Sequence, residues 1–446
     1  MRRSYQSIMG DTAARYHFPD LPETMEQAPT LEMLSRYVTG PVVLAYVWWV
    51  LREADARGFR RLYFLARDGF LLREIAACMC REFSLNIDCR YLYCSRAALR
   101  SPGYWFLGEE AFDLLLQDGY YKSMRSILAR GGLTEAEQNL IFEELKIDRT
   151  QADKGLGKAA FEKFAAQLRQ NDSYKKIVLE KSKNAYPAAI GYLRQEGLLD
   201  QKEIAIVDSG WIGSMQRSLR QLLQHGGWNG NITGFYFGLF RKSKDPADGT
   251  YLSWYFDEKR GKSEKIYFCN NLFECMLSAP HGMTTGYCKD GEVFRPVMNP
   301  PESKNMLRAI HTQIDAAVGF AKQVIPGLRL EDFDAEQLLK MTRDLLKRLM
   351  YMPTEQDVAA FREFEFSDDI TNSYQMALVS RENKARLRRY LLLPRIWEKL
   401  TSHQGHVQQP ELFWVYGAIA LLPAGQAWYR ANVFLWEWLR YTLKKL

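Results

Sequence analysis

The sequence predicts an α/β protein, with a mostly parallel sheet, a large helical insertion and a helical C-terminal region. Three observations carry that prediction. Short apolar runs such as Arg61–Leu65 and residues 203–207 alternate with stretches of helical apolar spacing. Polar turns follow those runs directly, and strands separated by helices imply parallel pairing. Residues 105–198 and the stretch beyond 300 have helical spacing almost throughout. With 446 residues, the chain can bury a sizeable core without metal or disulfide staples.

Composition narrows the class. Hydrophobic residues make up 47% and charged residues 25%, which excludes a disordered chain, a collagen-like repeat and a membrane bundle. The 60 Lys and Arg against 53 Asp and Glu give +7, a mild bias toward phosphates or a lipid surface and no signature of nucleic-acid binding. Seven cysteines, odd in number and without C-x-x-C spacing, fit free thiols in a reducing cytoplasm. The opening MRRSYQSIMGDTAARYHF has no apolar stretch after its basic residues, so the chain is expected to stay inside the cell. Residues 42–51 are too few to span a bilayer, and the uncharged stretch 412–429 is broken by Gly417, Pro423 and Gly425.

Taken in order, residues 1–29 read as a polar lead-in arm. The first half of the α/β core follows over 30–104: Thr30 caps one helix, Gly40-Pro41 begins a second, and Gly58 stops it. Then come the strand Arg61–Leu65, the turn Ala66-Arg67-Asp68-Gly69, a helix over 70–81, a strand over 88–93 and a turn of helix capped by Ser95. A helical insertion fills 105–198. The second half of the core, 199–298, holds a strand over 203–207, a loop from Asp208 to Gly213, a helix from Ser214 and strands over 232–240 and 251–256. Residues 299–446 read as helical, with apolar spacing over 306–324, 335–350 and 383–400. The Trp-rich end, closing on Lys444-Lys445, reads as a core-packing helix with a solvated tail ahead of its alternative, a helix lying at a membrane interface.

Four segments carry side chains suited to chemistry. In IVDSGWIGSMQ, Asp208 leaves a strand end, Gly210 and Gly213 permit close backbone approach, and Ser214 opens a helix whose N-terminal end favours phosphate. An anion cradle and an ordinary glycine-rich strand–helix turn both satisfy that pattern, and no P-loop spacing is present. In FLARDGF, Arg67 suits bidentate contact with phosphate and Asp68 suits Mg²⁺ or a hydroxyl, the plainer reading being an Arg–Asp pair that caps the next helix. YCSRAALR places Ser95 and Arg96 after the following strand. FECMLSAPHGMTTGY gathers Glu274, Ser278, His281, Thr284 and Thr285 in one loop, with Glu274 or His281 as a general base and a well-bonded connecting turn as the competing reading. His403 and His406 stand in a polar context and suit a solvated loop better than a metal site.

In that order, FLARDGF, YLYCSRAALR, IAIVDSGWIGSMQ and FECMLSAPHGMTTGY resemble a bacterial family associated with surface-polysaccharide assembly, over roughly residues 35–290. The resemblance implies a glycan phosphoribosyltransferase, a divergent, Rossmann-like relative of type I phosphoribosyltransferases. Such enzymes move 5-phosphoribosyl from phosphoribosyl pyrophosphate to a sugar hydroxyl. It implies that Ser209, Gly210, Trp211, Ile212, Gly213 and Ser214 hold the 5-phosphate, and that Arg67, Gly69, Ser95 and Arg96 hold the pyrophosphate. Asp208 would meet ribose hydroxyls or Mg²⁺. Asp68 would bind metal or deprotonate the acceptor, with Glu274 the competing base and His281, Thr284 and Thr285 near the acceptor.

Partners implied by the same resemblance are a lipid-linked glycan at the inner face of the plasma membrane and a separate phosphatase. Longer family members carry a fused haloacid-dehalogenase-type phosphatase, and this chain has no D-x-D-x-[TV] nucleophile of its own. The usual pair of adjacent acids before the phosphate loop is also missing, since Val207 precedes Asp208. The alternatives are a phosphatase-like hydrolase and a non-catalytic assembly scaffold.

Overall fold

A computed structural model describes residues 3–117, 122–366, 376–379, 384–401 and 412–442. At its centre are five strands, β1 (Arg61–Leu65), β2 (Asp88–Leu92), β3 (Glu203–Trp211), β4 (Asn231–Leu239) and β5 (Thr250–Phe256), all parallel and in the order β2-β1-β3-β4-β5. A parallel sheet must be covered on both faces, and the strand residues divide accordingly. Leu62, Phe64, Ala205, Val207, Phe235 and Phe237 enter one core, while Tyr63, Leu65, Ile204, Ile206 and Ile232 enter another.

The first core is closed by helices α1 (Gly40–Ala56), α2 (Gly69–Glu82) and α5 (Lys304–Val324), the second by α3 (Asp172–Gln195) and α4 (Ser214–His225). Connections from β1 lead to one side of the sheet and those from β3 to the other, so the strand order reverses between β1 and β3. In open α/β sheets that reversal opens a crevice at the strand carboxyl ends. The helical insertion has a third core of its own, from Tyr104 to Val178, and the C-terminal half of α3 docks it on the sheet through Ile190, Tyr192 and Leu193.

Four sequence expectations need correction. Residues 1–29 are no loose arm: Ser4 caps a helix, Tyr5–Tyr16, whose Tyr5, Met9 and Tyr16 are buried in the main core. Thr30 does cap its helix, but Gly40-Pro41 does not start a new one. A π-turn over Ser35–Thr39 absorbs the N–H that Pro41 lacks, and one helix runs over Leu31–Ala56. Its apolar 18-residue window is 89% buried, so a helix long and apolar enough to cross a membrane serves as a core element. Gly40 is required there because a Cβ would lie 2.9 Å from the Phe320 ring of α5.

The third correction is β3, which continues through Asp208, Ser209 and Gly210 to Trp211, so the expected six-residue loop contracts to Ile212-Gly213. Last, Thr284 and Thr285 begin a hairpin, β6 (Thr284–Asp290) with β7 (Val293–Met298), where a loop was expected. Beyond it the described residues are mainly helical, apart from a two-residue bridge between Glu365–Phe366 and Met376–Ala377. The stretch over 383–400 breaks into Lys384–Leu387 and Leu392–Thr401, and a helix over Gln426–Thr442 follows Pro423 and Gly425. His403, His406, Lys444 and Lys445 lie outside the described residues.

An ion pair at the rear of the fold joins distant segments. Arg348 (3% exposed) reaches Asp357 (0% exposed) at 2.7 Å, and Tyr5 both donates to Asp357 at 3.1 Å and presents its ring to the Arg348 guanidinium. Two further nitrogens of Arg348, Nε and Nη2, are buried without a partner.

Candidate functional site at the sheet reversal

Asp68 follows β1 and Asp208 lies near the end of β3, so the reversal brings two carboxyls together that are 140 positions apart in sequence. Asp68 stands at the helix N-cap position but makes no side-chain cap; its carboxylate instead accepts the Ser209 hydroxyl. Ser209 is buried, so this hydroxyl is committed to Asp68 and not to a ligand. From α1, Tyr46 donates to the main-chain carbonyls of Asp208 and Phe235, both at 2.9 Å, and pins β3 to β4 beneath the crevice.

The electrostatics follow from burial. Asp208 is pushed up to about 8, first by desolvation and then by the like charge of Asp68; backbone N–H groups of Ser209 and Gly210 and the Arg96 charge pull the other way. Burial also raises Asp68, opposed by the Ser209 hydrogen bond, Arg67 and Arg96. Each carboxyl is therefore harder to ionise than a free one, and the two titrations are linked through their like charge. Two carboxyls at one crevice are the donor set that Mg²⁺ shared with a diphosphate requires. Among the described residues no group of three or more His, Cys, Asp and Glu adds to them.

Two guanidiniums face this pair. Arg67 is held at 2.7 Å by Glu302, which is nearly buried in the segment leading to α5. The Ala66–Arg67 peptide is cis. Arg96 is exposed, acts on both Asp68 and Asp208, and has no hydrogen bond or ion pair among the described residues. Behind it Arg100 is pushed down by burial and by the charges of Arg96 and Arg217. Arg217 stands in the first turns of α4, a helix with no acidic residue in its first turn and no side-chain cap. That leaves the N-terminal N–H groups of α4 near the Arg96 and Arg100 guanidiniums, while Arg217 is paired with Glu110 at 2.8 Å.

The other expected residues fall into place unevenly. Ser95 caps its helix through Ala98 at 3.0 Å and donates to the Thr284 carbonyl at 2.6 Å, so both capacities of its hydroxyl are used within the fold. Gly69 is set by packing, since a Cβ would lie 2.7 Å from the Phe64 carbonyl carbon. Gly210 (φ +113°) and Gly213 (φ +62°) are required by their backbone, and a Cβ at Gly213 would meet the Tyr251 ring at 2.4 Å.

Trp211 also has positive φ, 72°, in which a bulky side chain is strained. It is held by its indole N–H donating to Glu274 and by the rings of Phe240, Phe268 and Phe273. Ser214 is the first residue of α4, and Ile212 is 41% exposed beside the crevice. In the fourth segment the His281 Nδ1–H donates to the Gly282 carbonyl at 2.8 Å, which leaves Nε2 to accept from Tyr91 at 2.7 Å. Burial lowers its pKa, and the ring is neutral. The Thr285 hydroxyl is spent on Val297 within the hairpin, whereas the Thr284 hydroxyl is buried without a partner.

Glu302, Tyr46, Tyr91, Arg100 and Arg217 escaped sequence reasoning. Only Arg100, four residues after Arg96 on one helical face, left a readable trace. No family model matches this chain, and no curated protein matches it.

Proposed function

We propose that the chain is a glycosyltransferase that moves 5-phosphoribosyl from phosphoribosyl pyrophosphate to a glycan hydroxyl in bacterial surface-polysaccharide synthesis, releasing pyrophosphate. The observation that carries the reading is the meeting of Asp68, Ser209 and Asp208 with Arg67 and Arg96 at the β1–β3 reversal. Departure of pyrophosphate from C1 leaves an oxocarbenium-like centre, so the site must neutralise a leaving diphosphate while holding a phosphorylated pentose.

In this reading Arg67, oriented by Glu302, and the uncommitted Arg96 take the diphosphate. The N-terminus of α4, at Ile212-Gly213-Ser214, takes the 5-phosphate. The C1–oxygen bond to pyrophosphate breaks, a bond to the acceptor oxygen forms, and the acceptor proton passes to Asp68, a carboxyl that burial makes more basic than a free one. Glu274 is tied to Trp211, which favours Asp68 over it as the base. Asp208 would hold Mg²⁺, with Asp68 as a further ligand where it does not act as the base, and the ion when bound would supply positive charge to the departing diphosphate. The reaction belongs at the cytoplasmic face of the membrane if the acceptor is lipid-linked, and a separate phosphatase would remove the 5-phosphate.

The test uses purified protein, Mg²⁺, phosphoribosyl pyrophosphate and a panel of lipid-linked glycans. Donor binding and acceptor-dependent pyrophosphate release are expected. Failure both to bind the donor and to release pyrophosphate on every acceptor would overturn the proposal, and phosphate release from a phosphoribosylated glycan would favour a hydrolase.

A further inference from the structure

We infer that the two C-terminal helices form a docking surface for a negatively charged phospholipid bilayer. The inference is independent of the phosphoribosyl reading and rests on two observations about one region.

The first is exposed apolar area. Leu393 (76% exposed) and Trp397 (69%) are one turn apart on the helix Leu392–Thr401. On the helix Gln426–Thr442, Trp428, Leu435 and Trp438 follow at i, i+7 and i+10 and share an exposed face, Trp428 at 56%. That helix is anchored from its other side, because Val433 and Trp436 are buried. The two helices pack against each other. Of the alternatives that the sequence left open for the Trp-rich end, core packing accounts for one face of this helix, while the opposite face is exposed. Aromatic side chains with a polar ring edge are the type that settles at the headgroup boundary of a bilayer.

The second observation is charge. Residues 384–446 hold ten of the chain's 60 Lys and Arg and only three of its 53 Asp and Glu, which leaves 50 of each in the preceding residues. The chain's entire net charge of +7 therefore lies in the segment that carries the exposed tryptophans. Arg388 is exposed there, and so is Arg440, which also pairs with Glu437 at 2.6 Å. Basic groups beside exposed aromatic and aliphatic side chains match an anionic leaflet, whose surface potential attracts each cation and whose boundary accepts the rings. A neutral protein partner would leave the charge unexplained.

The experiment needs no substrate. Full-length protein is sedimented with vesicles of phosphatidylcholine alone and of phosphatidylcholine mixed with phosphatidylglycerol, at low and high salt. Binding is expected on the phosphatidylglycerol vesicles, falling about tenfold or more as salt screens the charges. Arg388→Gln is expected to weaken it about fivefold, with thermal unfolding unchanged because Arg388 is exposed. Trp428→Ser with Trp438→Ser is expected to abolish it. Equal binding to both vesicle types, or none to either, would overturn the inference. So would a stable dimer in solution that the double Trp variant converts to monomer, because the face would then belong to a second copy.

Discussion

Asp208→Asn tests the electrostatics of the crevice without any substrate. Folding carries this carboxyl from its ordinary 3.8 to about 8, so the folded state keeps a proton that the unfolded chain gives up. Stability is therefore greatest at low pH and is lost as pH rises from about 4 through 8, the reverse of a salt-bridged acid. At 1.36 kcal/mol for each pH unit, the ceiling on that loss is roughly 6 kcal/mol. Asp68 competes for the same proton, so we expect about half of it, ~2–3 kcal/mol.

Asparagine keeps the shape and can still accept the Ser209 and Gly210 N–H groups, but it cannot ionise. Denaturant unfolding at pH 5, 7 and 9 should show the advantage of Asp208→Asn over wild type growing from small at pH 5 to ~2–3 kcal/mol at pH 9. Under the proposed function the same variant loses transfer activity, so stability and turnover would part company at one residue. A wild type whose stability rises between pH 5 and 8, with the variant weaker throughout, would refute the reasoning.

Three further outcomes follow. Glu302→Gln removes the charge that fixes Arg67 and should weaken binding of phosphoribosyl pyrophosphate about tenfold by calorimetry while leaving the unfolding midpoint close to wild type; unchanged affinity would show that Arg67 is not oriented for the donor. Arg348→Met strands the buried Asp357 and should cost about 3–5 kcal/mol in denaturant unfolding, with Arg348→Met/Asp357→Leu recovering much of it; a loss under 1 kcal/mol would refute the account of that pair. Gly213→Ala forces a Cβ to within 2.4 Å of Tyr251 at positive φ and should destabilise by about 1–3 kcal/mol, whereas a neutral effect would mean that the turn relaxes freely.

Strands were legible where apolar runs stood between clear punctuation. Arg61–Leu65 matches its expected bounds because Gly58 and the 66–69 turn bracket it, and the reading of a mostly parallel sheet follows from the alternation with helices. The end of β3 was hidden because Asp208-Ser209-Gly210 has the composition of a loop; it stays in the strand because Gly210 and Trp211 pair with Gly238 and Leu239 of β4. The hairpin was obscured by Pro296, which sits in its outer strand.

Within the site, Asp68 and Asp208 were readable because each follows an apolar run that marks a strand, and the topology did the rest. Their supports were not, because Glu302 and Tyr46 reach the crevice across long sequence separations and carry no local pattern. The expected phosphate contact of the Ser209 side chain competes with a nearer acceptor, Asp68, that no linear reading reveals.

The bond between Tyr5 and Asp357 spans 352 positions, and that separation bears on how the protein is made. At roughly 5–20 residues per second, a ribosome needs about 20–70 s to deliver the acceptor after the donor has emerged. Throughout that interval the helix Tyr5–Tyr16 is finished but has nowhere to bury Tyr5 and Met9. A helix made 352 positions ahead of its partner thus waits for its seat, and nascent chains halted before residue 357 should be the ones that chaperones hold.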